Sequence, residues 1–302
     1  MAYRLVLSRL VLGCSFLIST FAAAQNVDTI VTVQRKAGNT DPIQKDNVLV
    51  FEGGKRAPIT VWKPYAGADD ALQLLILIDD SSAGSLSGQI NDIRSFIQKL
   101  PASTEVAIGY MLNGGANMVQ NFTRDHEAAA KSLRLPQSIR GGGSPYYTMS
   151  EMAKQWKAQA GVRHEVLMIT DGVDRYGGLE FNSNNPNVSA AIRDAQRANI
   201  VVFSIYWRGA GALDADPSVV SAGQNYLSQL TTDTGGKSLY WGVVNPVSLV
   251  PFLQELNRIL MNQYELGFVS HSKPQYGLVS LRLKMETSGI KLIYPAMVPV
   301  TQ

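Results

Sequence analysis

Residues 72–83 read LQLLILIDDSSA. The near-continuous apolar run at 72–78 lacks the polar alternation of a half-solvated strand, and this is the signature of a strand buried on both faces, as in parallel sheets. It stops abruptly at Asp79-Asp80-Ser81-Ser82. Just downstream, Ile90, Ile93, Phe96, Ile97 and Leu100 recur at spacings of three and four, which predicts an amphipathic helix that packs on that strand and ends before Pro101.

The same pattern repeats along the chain. Strands are predicted at 105–112 and 118–122, joined by Asn113-Gly114-Gly115 as an antiparallel edge, and again at 165–170, 200–207 and 238–241. Helical periodicity covers about 125–133, 146–158, 188–198, 222–232 and 246–262. This alternation implies an α/β fold with a mostly parallel central sheet, one antiparallel edge strand and helices on both faces. Upstream, 29–34, 48–51 and 59–62 read as short strands, with Gly53-Gly54 as the turn between the last two. From Tyr264 the period changes to alternation in YELGFVS, LVSLRLKM and IKLIYPAM, broken at Lys273-Pro274 and Ser288-Gly289. Because chain ends commonly lie together, these three strands are expected to join the N-terminal three in a small β unit. The implied domains are an N-terminal β segment at 25–66, an α/β domain at 67–262 and a C-terminal β segment at 263–302.

Residues 1–24, MAYRLVLSRLVLGCSFLISTFAAA, carry two arginines, an apolar stretch and a small-residue Ala22-Ala23-Ala24 end. This is the pattern of a cleaved secretory signal peptide, with Gln25 as the new N-terminus, and the apolar stretch is short for a transmembrane span. A lipobox-like Val11-Leu12-Gly13-Cys14 is a lesser alternative, with little apolar sequence ahead of it. The only cysteine is Cys14, so cleavage leaves a chain without disulfides, and the 302 residues, 45% hydrophobic, must rely on their core. The formal charge of +3 includes Arg4 and Arg9 of the leader. A mature chain so close to neutral lacks the basic field that nucleic acid or anionic lipid requires.

In an open α/β sheet, ligands bind at the carboxyl ends of the strands. Asp79 and Ser81 end the first central strand, and Thr170-Asp171-Gly172 ends a later one. Between them lies Gly141-Gly142-Gly143-Ser144-Pro145, a loop able to bring a hydroxyl to that edge. An oxygen-only donor set suits a hard ion, Mg²⁺ best, with Mn²⁺ or Ca²⁺ as alternatives.

Asp79-x-Ser81, Gly141 to Pro145, Thr170 to Gly172 and LSQLTTDTGG at 227–236 follow in the order seen in von Willebrand factor type A (VWA) domains. The chain also resembles secreted bacterial VWA proteins of the acidobacterial VWFA-related kind, in which a segment similar to DNVLVFEGGKRAPI at 46–59 precedes the domain and strands similar to YELGFVS follow it. The resemblance implies a Rossmann-like VWA domain with a metal-ion-dependent adhesion site. Asp79, Ser81 and Asp171 match that site's pattern, and Ser144 stands where threonine is usual. Ala83 replaces the second serine of the pattern, and a methyl group donates no electron pair, so a weakened or absent metal site stays open as an alternative. Asp80, Ser82 and Ser85 are the substitutes within reach, and Asp174 is a second-rank candidate for a water-mediated role. Without a metal, Asp79 and Asp171 are loop carboxylates satisfied by backbone N–H groups.

The implied function is a secreted or periplasmic, non-catalytic protein-interaction or adhesion module, in which a bound ion takes a carboxylate from an extracytoplasmic partner with an exposed Asp or Glu. The alternative is a metal-independent scaffold or assembly protein; a metal-dependent hydrolase ranks below both. Only His126, His164 and His271 are present, without a shared motif, a nucleophile elbow or a clustered zinc set. The segments 209–224 and 177–187 are long for connections and are candidate recognition loops. Tyr146 and Tyr147, next to Ser144, are candidates to frame a ligand.

Overall fold

The computed structural model describes residues 25–300 apart from 38, 40–42, 68–69, 83–85, 138–142, 158, 160, 210–215, 272–273 and 275. The leader, Ala83, Ser85, Gly141 and Gly142 lie outside the described residues. The central sheet is built from β5 (Leu72–Asp79), β6 (Thr104–Leu112), β7 (Gly115–Thr123), β8 (Arg163–Thr170), β9 (Ile200–Tyr206) and β10 (Ser238–Leu239). Its order is β10-β9-β8-β5-β6-β7. All neighbours are parallel except β7, which returns antiparallel on β6 as the Asn113-Gly114 turn predicts.

β5 lies between β8 and β6 and is buried on both faces. Leu74, Ile76 and Ile78 pack with Ile93 and Ile97 of α1 (Ile90–Gln98) and with Leu253 and Leu256 of α6 (Val250–Leu260). Leu75 and Leu77 face the other way, against Met149 of α3 (Pro145–Gln155), Ile192 of α4 (Pro186–Arg197) and Leu227 of α5 (Pro217–Asp233). The short α2 (His126–Ser132) packs on the first face through Ala129 and Ala130. β5, β6, β8 and β9 each present two apolar rows, one to each helix layer, and this is why their sequences do not alternate.

The strands on either side of the α/β core interleave. β1 (Gln25–Arg35) lies between β11 (Gln263–Ser270) and β14 (Ile290–Ile293), and β4 (Ile59–Pro64) completes that sheet on the far side of β11. A second sheet has the order β13-β2-β3, from Arg282–Met285, Val48–Glu52 and Lys55–Ala57, and β12 (Leu278–Ser280) pairs with β15 (Met297–Pro299). The fold class matches the sequence reading. Two details do not. The Gly53-Gly54 hairpin returns through β3 and not through 59–62, because Pro58 interrupts the chain and β4 starts anew in the neighbouring sheet. The run LVSLRLKM is two strands, β12 and β13, split at Leu281.

This outer β unit meets the core at its amino edge. Asn199, just before β9, bonds Asp28 O at 3.2 Å and Thr29 Oγ1 at 3.3 Å. The carboxyl edge of the sheet lies at the opposite end. Among the described residues, no helix is long and apolar enough to cross a membrane.

Candidate functional site

The register of β5 against β8 pairs Ile78 with Ile169, so Asp79 comes level with Thr170 and Asp171 follows one residue on. Asp79 is fixed from both sides. Its Oδ1 accepts from the Ser81 backbone N at 3.0 Å and from the Ser81 hydroxyl at 2.6 Å, while Oδ2 accepts from the Thr170 hydroxyl at 2.8 Å. The chain then turns through Asp80–Ser82, and the Ser82 hydroxyl donates back to Asp79 O at 2.6 Å.

Ser144 is the N-cap of α3, and Pro145 occupies the first turn, where a missing N–H costs nothing. The Ser144 hydroxyl accepts from Tyr147 N at 3.2 Å, and an oxygen with two lone pairs keeps one for another partner. Asp79, Ser81 and Ser144 line one cavity of about 20 Å³, together with Asn113, Gly114, Gly143, Thr148 and Arg175. A cavity of that size holds a single water-sized species.

Asp171 is nearly fully buried, and its carboxylate is already engaged. Oδ2 accepts from Arg175 Nη2 at 2.7 Å, and Oδ1 from Val173 N at 2.9 Å and Arg175 Nη1 at 3.3 Å. Burial, with the nearby charge of Asp79, pushes the Asp171 carboxyl up to about 6 against the opposing pull of Arg175 and Val173 N. The backbone here is clamped by α5. A Cβ on Gly223 would lie 2.0 Å from Asp171 O, and Gly172 adopts φ +68° beneath Leu227, a conformation suited to glycine.

The donor set fits a hard cation in part. Asp79, Ser81 and Ser144 converge on one small all-oxygen cavity, whereas Asp171 faces a guanidinium. Among the described residues, no group of three or more His, Cys, Asp or Glu is placed to hold a metal, so any ion here must draw on hydroxyls as well as carboxylates.

The remaining candidates separate. Asp80 makes a two-pronged ion pair with Arg134, at 2.7 and 2.9 Å, and accepts from Gln137 N at 2.9 Å. Burial alone raises its carboxyl, but the Arg134 and Gln137 bonds outweigh that and hold it below the usual range. Neither Asp80 nor Ser82 lines the cavity. Asp174 is fully buried. It fastens its own loop by accepting from Tyr176 N, Asn185 Nδ2 and Asn187 Nδ2 at 3.2, 2.8 and 2.9 Å. Tyr146 is core, its hydroxyl donating to Gly172 O at 2.7 Å. Tyr147 is half exposed and meets Tyr176 edge-on at 6.4 Å.

The three histidines lie apart. His126 begins α2 and bonds Thr104 O, His164 is buried on β8 against Trp156, and the His271 backbone donates to Glu52 in the outer unit. Of the two candidate recognition loops, the first is shorter than expected, since α5 already begins at Pro217 with Asp216 as its cap. Residues 210–215 lie outside the described residues. The second is exposed over 177–184 but anchored to α5: Asn182 N donates to the Tyr226 hydroxyl at 2.7 Å, and the Phe181 ring lies tilted against that of Tyr226 at 5.0 Å.

No protein-family model matches the chain, and no curated relative does. Solved structures are similar to it. One is an aerotolerance-related membrane protein from Bacteroides fragilis NCTC 9343, at 16% identity and TM-score 0.46, covering 63% of this chain and 98% of that one. Another is the conserved hypothetical protein BatB from Bacteroides thetaiotaomicron, at 17% identity and TM-score 0.45 with the same coverage. A third is the SpRpn10 VWA domain, at 12% identity and TM-score 0.40, covering 63% of this chain and 97% of that one.

Arg175 and Tyr176 escaped the sequence reading, and Thr170 entered it only as part of the Thr-Asp-Gly motif. Arg175 stands four residues past Asp171, a separation that a turn can close, and its charge beside a candidate ligand was the available signal. Thr170 holds Asp79 from the neighbouring strand, a role visible only once the register is known. Tyr176 covers Gly114, at whose position a Cβ would lie 2.9 Å from the ring.

Proposed function

We propose that this chain is a secreted, non-catalytic protein-interaction module that docks an acidic group of an extracytoplasmic partner at the carboxyl edge of its central sheet. The observation that carries this reading is the convergence of Asp79, Ser81 and Ser144 on one cavity of single-ion size at that edge. In this reading Asp79, Ser81 and Ser144 hold a divalent cation, Mg²⁺ by preference, with Asp171 as the fourth member of the set. When bound, the cation supplies positive charge and an open coordination position for the partner's carboxylate. Ser81 and Thr170 keep the Asp79 carboxylate oriented, the α3 cap fixes Ser144, and Tyr147 and Tyr176 offer half-exposed rings beside the opening.

Thermal unfolding in EDTA, and then with millimolar Mg²⁺, Mn²⁺ or Ca²⁺, tests the site. An ion bound only by the folded state raises the midpoint by mass action, by about 2.7 kcal/mol of stability at a hundredfold excess over Kd. The rise is expected in the native protein and absent from Asp79→Ala; an equal rise in both sinks the reading. Turnover in a broad ester and phosphoester screen would overturn its non-catalytic part. Export is checked at the N-terminus. Cleavage after Ala24 makes Gln25 the first residue, so sequencing of the exported protein should begin QNVDT.

The Arg175–Asp171 pair favours a second reading, a metal-independent scaffold or assembly protein whose interface is the same edge with its charges already balanced. It predicts a midpoint that neither EDTA nor added Mg²⁺ moves.

A further inference from the structure

We propose that Arg175 is the resident cation of this site, a built-in competitor that a divalent ion must displace from Asp171. The inference rests on the cation reading above and concerns what controls it. Two carboxylates, Asp79 and Asp171, lie at one edge; Asp79 lines the cavity, and Asp171 sits behind Arg175, which lines it too. The Arg175 guanidinium reaches both Asp171 oxygens, at 2.7 and 3.3 Å, and its side chain is itself part of the cavity wall. Forked pairing of this kind balances one buried carboxylate without any metal.

The arrangement is built for exchange at the side chain only. The Arg175 backbone N donates to Gly143 O at 3.0 Å, so its main chain is tied to the loop that carries Ser144. Asp171 is held by Val173 N and the clamp of α5, with a side chain only 4% exposed, whereas that of Arg175 is 25% exposed. The anion is therefore the fixed member and the cation the one with a path to solvent. An arginine does not lose its charge in the physiological range, so release occurs by exchange with another cation rather than by deprotonation. Ion occupancy then costs the Arg175–Asp171 pair, and apparent affinity for the ion is lowered by whatever that pair contributes.

The test is titration calorimetry of Mn²⁺ and of Mg²⁺ into the native chain and into Arg175→Gln, Arg175→Lys and Asp79→Ala/Arg175→Gln. Close charge pairs are worth roughly tenfold or more in binding, so Arg175→Gln is expected to bind either ion at least about tenfold tighter than the native chain. Arg175→Lys keeps the charge and loses the fork, and should fall between the two. The double variant should lose the gain. If Arg175→Gln does not fold in EDTA, Arg175→Lys decides alone: tighter Mn²⁺ binding supports the inference and equal binding overturns it. Native and Arg175→Gln proteins that bind Mn²⁺ equally well overturn the inference while leaving the cation site standing. A gain that persists in the double variant also overturns it, because the ion then lies elsewhere. Proteins that all fail to bind at millimolar Mn²⁺ and Mg²⁺ remove the cation reading and this inference together.

Discussion

Glu165 is fully buried near the start of β8, where among the described residues neither carboxyl oxygen makes a well-formed hydrogen bond and the Gln263 amide is the donor close by. Burial pushes its carboxyl up from 4.5 to about 7, although the neighbouring Arg163 charge and the Gln263 amide pull the other way. A carboxyl that is raised on folding favours the native state fully below the unfolded value, and that contribution fades as pH rises through the folded one. At about 1.4 kcal/mol per unit, the loss between pH 4.5 and pH 8 approaches about 3 kcal/mol. Replacing Glu165 by Gln should flatten this slope. Urea unfolding at pH 6 and pH 8 measures it, and a native chain as stable at pH 8 as at pH 6 would refute the account. Asp171, raised to about 6, adds a slope of the same sign at lower pH, which is why the comparison starts at 6. The same two carboxylates show what a sequence gives away and what it withholds. Asp171 was legible because a Thr-Asp-Gly turn follows an apolar strand. Glu165 was not, since one acid within HEVLMIT looks like the polar phase of a strand until both faces prove to be covered. Arg175 was missed for a related reason: its partner is set by a turn, not by a period.

At the scale of elements, the site depends on how closely α5 approaches the end of β8. Gly223 allows the helix to rest on Asp171 O, and Gly172 bends away beneath Leu227. Gly223→Ala must move α5 or the turn, and overpacking of this kind costs about 1–3 kcal/mol. The expected outcome is a loss of that size in urea unfolding, accompanied by a weaker response to Mn²⁺ because Asp171 moves with its carbonyl. A variant as stable as the native chain and equally responsive would show that the contact is dispensable. Periodicity made the existence of nearly every core element readable, and the edges of elements were read less well. The segment 146–158 begins as α3 at Pro145 because a serine cap and a proline fix its first turn, and α5 starts at Pro217, ahead of the expected 222, because an aspartate cap, Asp216, and a proline do the same there. The region 246–262 is helical only from Val250, since Ser248 and Leu249 N bind Asp92 and hold the preceding chain in a different conformation. The outer strands were harder to read. Pro58 and Leu281 each redirect the chain between sheets, and pairing across more than two hundred residues leaves no local trace.

The candidate site and the outer β unit lie at opposite ends of the molecule, the first at the carboxyl edge of the central sheet and the second at the amino edge. Arg163 joins the second of these to the core. It is nearly fully buried at the start of β8, and its guanidinium donates to Leu260 O at 3.0 Å, to Gln263 Oε1 and to Asp70 Oδ1, while lying 4.9 Å over the Tyr65 ring. One side chain thus ties the linker that enters the core, the helix that ends it and the strand that leaves it. Losing one partner of a fully buried charge pair costs about 3–5 kcal/mol, and the cost here is smaller because the Asp70 side chain is 26% exposed and stays partly solvated. For Arg163→Met the cost should fall on the junction more than on the core, whose two apolar layers do not involve Arg163. Hydrogen exchange resolves the two. In the native chain the amides of β1 and β11 are expected to open with those of β5 and β8, at one shared free energy. In Arg163→Met, β1 and β11 should exchange at a lower free energy than β5 and β8, so that the outer unit opens while the core stays closed. Equal protection of both sheets in the variant would mean that the strand interleaving alone joins them. An intact Mn²⁺ response in a variant with an open junction would show in addition that the carboxyl edge works independently of what holds the opposite end.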